Sequence, residues 1–259
     1  MVNKKTDIKI SAIVKSQNSD KYLYETLESI KDLNEIILID YNSSDDSVEI
    51  AKEYKAKIIY RDKNDFSDLD FIISNAQNDW VLVLNQNEIV PLNLLNQIAN
   101  YIENPKKNKN VVSIGKKSFY LNKEIKFLKE KRNLRLFLKD FCTLEYDFST
   151  KLKQKTKIHC INKNLKKKNE YILNFIDNNI SRNIEEIIEQ NKNLVKNFPK
   201  TRASIVLKPV LKFLKNYFIK GAIFDGKYGF LFCKLKYIKD FTLEVMILER
   251  NFKGEKYDI

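Results

Sequence analysis

The sequence predicts an α/β protein built on a mostly parallel sheet covered by helices. Short β-branched runs alternate with helical segments through the first hundred residues, and the links between them are short and polar. No glycine precedes Gly115, which excludes a glycine-rich phosphate loop from this half. Ile8 to Val14 reads as a buried strand, and Asp20 caps a helix whose apolar residues Leu23, Leu27 and Ile30 recur at helical spacing. Glu35 to Asp40 is a second buried strand ending in a carboxylate, followed by the polar turn Tyr41 to Asp46. A helix through Val48, Ile50, Ala51 and Tyr54 starts from a serine cap. Ala56 to Arg61 is a third strand, Leu69 to Ala76 a helix and Trp80 to Leu84 a fourth strand. Such a βαβαβαβ series binds ligands at the carboxyl ends of its strands, which points to Asp40 to Asp46 and Asn85 to Glu88.

Pro91 opens a helix through Leu94, Leu95, Ile98 and Ile102, and the polar residues Asn104 to Asn108 end it. The runs VVSI, SFYL and LRLFL between Val111 and Phe148 suggest further short strands, and Lys151 to Glu170 reads as a lysine-rich connector. Helical spacing returns at Ile184, Ile187, Ile188, Leu194 and Val195, from Pro209 to Ile223 and from Phe230 to Leu248. The expected organisation is an α/β core over residues 1–150 and a basic, mainly helical C-terminal extension over 151–259 packed on it.

Of the 259 residues, 43% are hydrophobic and 31% charged, which excludes wholesale disorder and a collagen-like or disulfide-stapled scaffold. No run of about 18 uncharged apolar residues exists to span a membrane. The lysine-bearing N-terminus lacks the apolar run of a secretory signal, so a cytoplasmic protein is expected. Cys142, Cys160 and Cys233 are widely spaced, as reduced thiols are, and His159 beside Cys160 lacks the further ligands that zinc needs. The net charge of +13 is unevenly divided: residues 1–100 hold 11 Lys+Arg against 17 Asp+Glu, and the remainder 36 against 17. A basic second half suits nucleic acid, anionic lipid or a phosphorylated substrate; an AT-biased coding sequence, rich in Lys, Asn and Ile, yields the same excess.

The words ISAIVKSQNSDKYLYETLESI, NEIILIDYNSSDDSVEIAKEYKAKIIY and NDWVLVLNQNEIV, with KPVLKFLKNYFIKGAIFDGKYGF near the C-terminus, resemble one bacterial branch of the family 2 inverting glycosyltransferases. That branch includes lipopolysaccharide core glucosyl- and heptosyl-type transferases. The resemblance implies a GT-A fold, a Rossmann-like nucleotide-sugar-binding sheet, with a C-terminal helical extension. It also implies a nucleotide-sugar donor, UDP-linked, bound by Asp40, Asn42, Ser43 and Asp45 and by Asn85 and Asn87. Asp40 is suited to accept hydrogen bonds from a uracil or ribose. Asp45 and Asp46 have two readings, contact with the nucleotide or capping of the following helix.

Three positions depart from the family pattern. Its acidic DxD word, whose carboxylates hold Mg²⁺ or Mn²⁺ against the donor diphosphate, here reads Asn85-Gln86-Asn87-Glu88, so any metal would fall to Glu88 and Asn87 and be weakly held. Glu88 has a second reading as a helix-start carboxylate before Pro91. Upstream, where relatives carry a cation and an amide, this chain has Leu69 and Asp70, and a carboxylate facing a diphosphate would cost on the order of 1–4 kcal/mol. The branch's His-Glu pair after the Arg-Leu-Phe strand, here Arg135 to Phe137, is not recognisable, which leaves Glu145 or Asp147 as the base or as ordinary solvated loop carboxylates.

Near the C-terminus Leu211, Phe213, Leu214, Tyr217 and Phe218 interleave with Lys208, Lys212, Lys215 and Lys220. This is either a basic amphipathic helix lying on an anionic membrane surface or a helix packed on the core with its lysines in water. The expected partners are a nucleotide sugar and a glycan or lipid-linked glycan acceptor, with the protein peripheral at the inner membrane. No nucleic-acid partner is expected, since no RNA- or DNA-binding module accompanies the charge. The alternative is a catalytically impaired homologue that binds a glycan, a lipid or a partner protein.

Overall fold

The computed structural model describes residues 8–62, 69–106, 109–128, 131–145, 148–169 and 202–254, with side chains of the last segment described over 207–245. They divide into two compact units, Met1–Lys117 with Glu130–Lys168, and Ser118–Lys129 with Asn169–Ile259.

The first unit is a sheet with helices on both faces. Strands β1 (Ile8–Ser16), β2 (Leu33–Asp40), β3 (Lys57–Tyr60) and β4 (Trp80–Asn85) alternate with helices α1 (Asp20–Glu28), α2 (Ser47–Glu53) and α3 (Asp70–Ser74). The short β5 (Glu88–Ile89) precedes α4 (Leu92–Glu103), and β6 (Val111–Tyr120), β8 (Asn133–Leu138) and β11 (Ile158–Lys168) complete the sheet. The strand order is β3-β2-β1-β4-β8-β6-β11-β5. The four leading strands are parallel, whereas β8 runs antiparallel to β4 and β6 antiparallel to β8. A separate hairpin joins β9 (Cys142–Leu144) to β10 (Thr150–Leu152).

The period-2 alternation of strands sends side chains to two cores. Ile10, Ala12 and Val14 of β1, Ile36 and Leu38 of β2, and Trp80, Leu82 and Leu84 of β4 pack on one face with Leu23, Leu27, Ala51, Leu94, Leu95 and Ile98. Ile13, Ile37, Ile39, Val81 and Val83 face the other way and meet Ile72, Ile73, Cys142, Leu144 and Phe148. Both faces are covered, which is why these strands read as continuous apolar runs rather than alternating ones.

Several expectations are corrected. VVSI and SFYL form one strand, β6, whose first five residues are all buried and whose later Ser118 and Tyr120 are buried in alternation. The lysine-rich connector is largely structured: β11 holds its place through buried Ile161 and Leu165, with Lys163 and Lys166 exposed and Lys168 paired with Glu25 at 2.5 Å. Asp20 does not cap α1; it is the first helical residue, and its own N–H is taken by the Asp45 carboxylate at 3.0 Å. The helical spacing at Ile184 to Val195 lies outside the described residues.

In the second unit, β7 (Lys123–Glu124) pairs with the end of β6. Helix α5 (Arg202–Leu214) runs into a π-helical turn, Lys215–Ile219, and a 3₁₀ turn, Ala222–Asp225, before α6 (Gly226–Gly254). Its core gathers Tyr120, Ile125, Phe127, Ala222, Phe232 and Cys233, and the Asp225 carboxylate accepts the backbone N–H groups of Lys126 and Phe127 at 3.2 and 3.1 Å. No described helix is long and apolar enough to cross a membrane.

Candidate functional site

The loops leaving β1, β2 and β4 meet at the carboxyl edge of the parallel strands, the ligand edge of an α/β sheet. Asp40, almost fully buried, receives the Ser43 N–H at 3.0 Å on one carboxylate oxygen and the Ser43 hydroxyl at 2.5 Å on the other. The chain then reverses through exposed Asn42 at φ 52°, and the neighbouring loop turns at Asn18 with φ 45°. Asparagine tolerates this left-handed conformation, and it takes the place of the glycine that the first 114 residues lack. The two loops are tied together, since the Asn18 N–H donates to the Ser43 hydroxyl at 3.0 Å and the Ser44 N–H to the Asn18 side-chain oxygen at 2.9 Å. Asp45 accepts the Ser47 hydroxyl at 2.5 Å and N–H at 3.1 Å as well as the Asp20 N–H at 3.0 Å, so one carboxylate serves the first turns of both α1 and α2.

After β4 the chain turns through Gln86 and Asn87. The Gln86 side-chain oxygen accepts the Gln17 N–H at 2.8 Å, and the Asn87 side-chain amide donates to the Lys168 carbonyl at 2.8 Å, locking the turn to the β1 loop and to β11. Glu88 is 0% exposed and lies between two cations, Arg135 at 2.8 Å and Lys116 at 3.4 Å. Its second oxygen accepts the Asn85 N–H at 2.9 Å.

These residues do not fit a resident divalent cation. Both Glu88 oxygens are already engaged, and a metal there would meet two side-chain cations at short range. Asn87 supplies at most an uncharged oxygen, and no group of three or more His, Cys, Asp or Glu with metal-binding geometry occurs among the described residues. His159 instead stacks on Tyr101 with ring centres 4.5 Å apart, and burial, reinforced by Lys106 and Lys109, holds its pKa below the ordinary value.

A cavity of about 460 Å³ opens beside this ion-pair cluster, lined by Asn85, Lys116, Arg132, Arg135, Ser149 and Thr150 among others. Arg132 donates to the Ser113 carbonyl at 2.8 Å and to that of Ile161. A larger cavity of about 770 Å³ lies at the opposite, amino end of the strands, lined by Ile8, Asn34, Asp79 and Trp80, the wrong edge for an α/β ligand site.

Of the two carboxylates considered as a base, Glu145 follows β9, pairs with Lys151 and accepts the Ser149 hydroxyl at 3.2 Å; Asp147 lies outside the described residues. Asp70 has a local role: it accepts the Thr143 hydroxyl at 2.6 Å and the Leu144 N–H at 3.3 Å and pairs with Lys153 at 2.7 Å. Burial pushes its pKa up, but the Lys153 pair and these hydrogen bonds outweigh it and hold the carboxyl below its usual value. Its charge therefore docks the hairpin of β9 and β10 onto α3. Burial pushes the Cys142 thiol up to about 12 and the Cys233 thiol to about 11, so neither is a thiolate at neutral pH.

The sequence carries only a faint signal for Lys116, Arg132 and Arg135: Arg135 stands among Leu134, Leu136, Phe137 and Leu138, where a lone cation implies a buried partner, but nothing in the linear order joins it to Glu88.

The glycosyl transferase family 2 model matches residues 11–160, more than half of the chain. An uncharacterized glycosyltransferase of Rickettsia conorii is 30% identical over 99 residues, covering 38% of this chain and 35% of the relative. One from Rickettsia typhi is 32% identical over 92 residues, covering 35% and 32%. The match thus spans about a third of the length of these relatives. Among solved structures, glucosyl-3-phosphoglycerate synthase from Mycobacterium tuberculosis with Mn²⁺, UDP and glucosyl-3-phosphoglycerate has a TM-score of 0.33 at 20% identity, covering 43% of this chain and 44% of that one. Its complex with phosphoglyceric acid has a TM-score of 0.39 at 15% identity, covering 54% and 62%.

Proposed function

The chain belongs to glycosyltransferase family 2, with a GT-A-like α/β sheet, and on that premise we propose that it transfers a sugar from a UDP-linked donor to a surface-glycan or lipopolysaccharide-type acceptor with inversion. The observation that carries this reading is the rigid carboxyl edge of β1, β2 and β4, where Asn18, Ser43 and Gln86 bind three loops into one rim. In this reading the nucleotide lies over the turn of Asp40, Asn42, Ser43 and Asp45, with Asn85 and Asn87 toward the diphosphate. The acceptor oxygen bonds to the anomeric carbon as that carbon's bond to the diphosphate oxygen breaks, the electron pair leaving with the nucleotide. The acceptor proton passes to Glu145 or Asp147.

The exposed apolar residues Leu211, Leu214, Phe218, Ile219 and Phe224, set among Lys208, Lys215 and Lys220, support a peripheral position on an anionic membrane, with a lipid-linked glycan as acceptor on the cytoplasmic face.

The test is release of UDP from a panel of UDP-sugars, with UDP affinity measured alongside. Asp40→Ala is expected to weaken UDP binding by about tenfold or more, and Ser43→Ala by less, because a lost charged acceptor costs more than a lost hydroxyl. Unchanged affinity in Asp40→Ala removes this turn from the donor site. A second reading, a non-catalytic homologue, is favoured by one observation: Asp40, Asp45, Glu88 and Glu145 are all engaged by internal partners. UDP binding without turnover on any sugar or acceptor would select it.

A further inference from the structure

We infer that the cavity between β4, β6, β8 and the β9–β10 hairpin is a phosphate site in which side-chain cations do the work of a divalent metal. This rests on the nucleotide-sugar reading above and deepens it. Three cations line the cavity, Lys116, Arg132 and Arg135, and no carboxylate does among the described residues. Glu88, which pairs with Arg135 and Lys116, is not among the residues that line the cavity.

Burial makes this charge effective. The side chains of Lys116 and Arg135 are 9% and 4% exposed, so a bound anion would meet them largely unscreened. The Arg135 guanidinium is held by Glu88 and by the Val83 carbonyl at 3.3 Å, while its Nε has no hydrogen-bond partner among the described residues. A buried N–H of this kind is costly unless an acceptor satisfies it, and phosphate oxygens match a guanidinium closely. Ser149, Thr150, Asn85 and Asn133 add neutral polar groups to the same wall. The size also suits the ligand, since about 460 Å³ admits a diphosphate with part of a sugar.

Glu88 takes a different part from metal ligation. It pins Arg135 and Lys116 in place, prearranging positive charge where a metal would otherwise bring it. The anion is either the donor diphosphate or a phosphate carried by the acceptor; both present the same oxygens.

Calorimetry on the full chain in EDTA, at low and moderate salt, separates these cases. The probes are UDP, uridine, inorganic pyrophosphate and glucose 6-phosphate. Arg132→Gln leaves the Glu88 cluster intact, Lys116→Gln retains the Arg135 pair, and a thermal melt confirms that each variant folds. UDP and pyrophosphate are expected to bind without metal and uridine far more weakly. Each variant should weaken both anions about tenfold, and added salt should weaken them in the wild type. Glucose 6-phosphate binding in place of UDP, with the same loss in both variants, assigns the site to the acceptor and still supports it. UDP binding that appears only with Mn²⁺ overturns the metal-free site and leaves the donor reading standing. UDP binding in EDTA that is unchanged in both folded variants also overturns it, placing the nucleotide elsewhere. Absence of binding by every probe, with and without Mn²⁺, removes the phosphate site and the nucleotide-sugar reading together.

Discussion

Glu88 and Asp70 show how a carboxylate's role depends on its partners. Removing Glu88 leaves the buried Arg135 guanidinium without the carboxylate it pairs with, so Glu88→Ala should destabilise the protein by about 3–5 kcal/mol in urea unfolding. A metal ligand would behave differently, losing ion affinity with little loss of stability. For Asp70 the sign follows from its depressed pKa: its contribution is complete above the unfolded carboxyl value of about 3.9 and is lost as pH falls through the lower folded value. Asp70→Asn should therefore be less stable than wild type at pH 7, by about 1–3 kcal/mol, and the gap should close as pH falls through the lowered folded value. A gap that persists in acid would mean that the ionised carboxylate is not what holds the hairpin.

At the scale of elements, the first turns of α1 and α2 share one carboxylate from a loop, so the two helices depend on Asp45 together. Asp45→Ala is expected to cost about 0.5–2 kcal/mol, the range of a lost helix cap, measured by thermal unfolding. The start of α6 is held differently. A Cβ on Gly229 would lie 2.0 Å from the Ala222 carbonyl oxygen, a backbone atom that cannot swing away. In an open helix Gly→Ala stabilises by about 1 kcal/mol, but here overpacking should reverse the sign and cost about 1–3 kcal/mol. A stabilised Gly229→Ala would show that the 3₁₀ turn does not hold this close contact in solution.

For the molecule as a whole, the basic apolar surface of α5 and the turns that follow is the feature most open to a binding test. Ile219 and Phe224 are 80% and 91% exposed, and Lys215 and Lys220 stand beside them. Lys212 pairs with Asp240 at 3.3 Å, so its substitution would disturb the packing of α5 on α6 as well as any lipid contact. Sedimentation with anionic vesicles should retain the wild type and release Ile219→Ser/Phe224→Ser and Lys215→Glu/Lys220→Glu; retention of all three would dismiss this surface as the anchor. The sequence alone was enough to identify the parallel α/β sheet, the order of its first four strands and helices, and the loops that meet at its ligand edge. Those features follow from local periodicity and from turn residues close together in the chain. It did not reveal that Asp45 serves two helices, that Lys153 neutralises Asp70, or that Glu88 is locked to Arg135 and Lys116. Each of these depends on residues about 25 to 80 positions apart in the chain, brought together by strand pairing and packing. Periodicity records which face a residue occupies, whereas the partner of a buried charge is decided only when distant strands come into register, because the cost of an unpaired charge is set by what the fold places beside it.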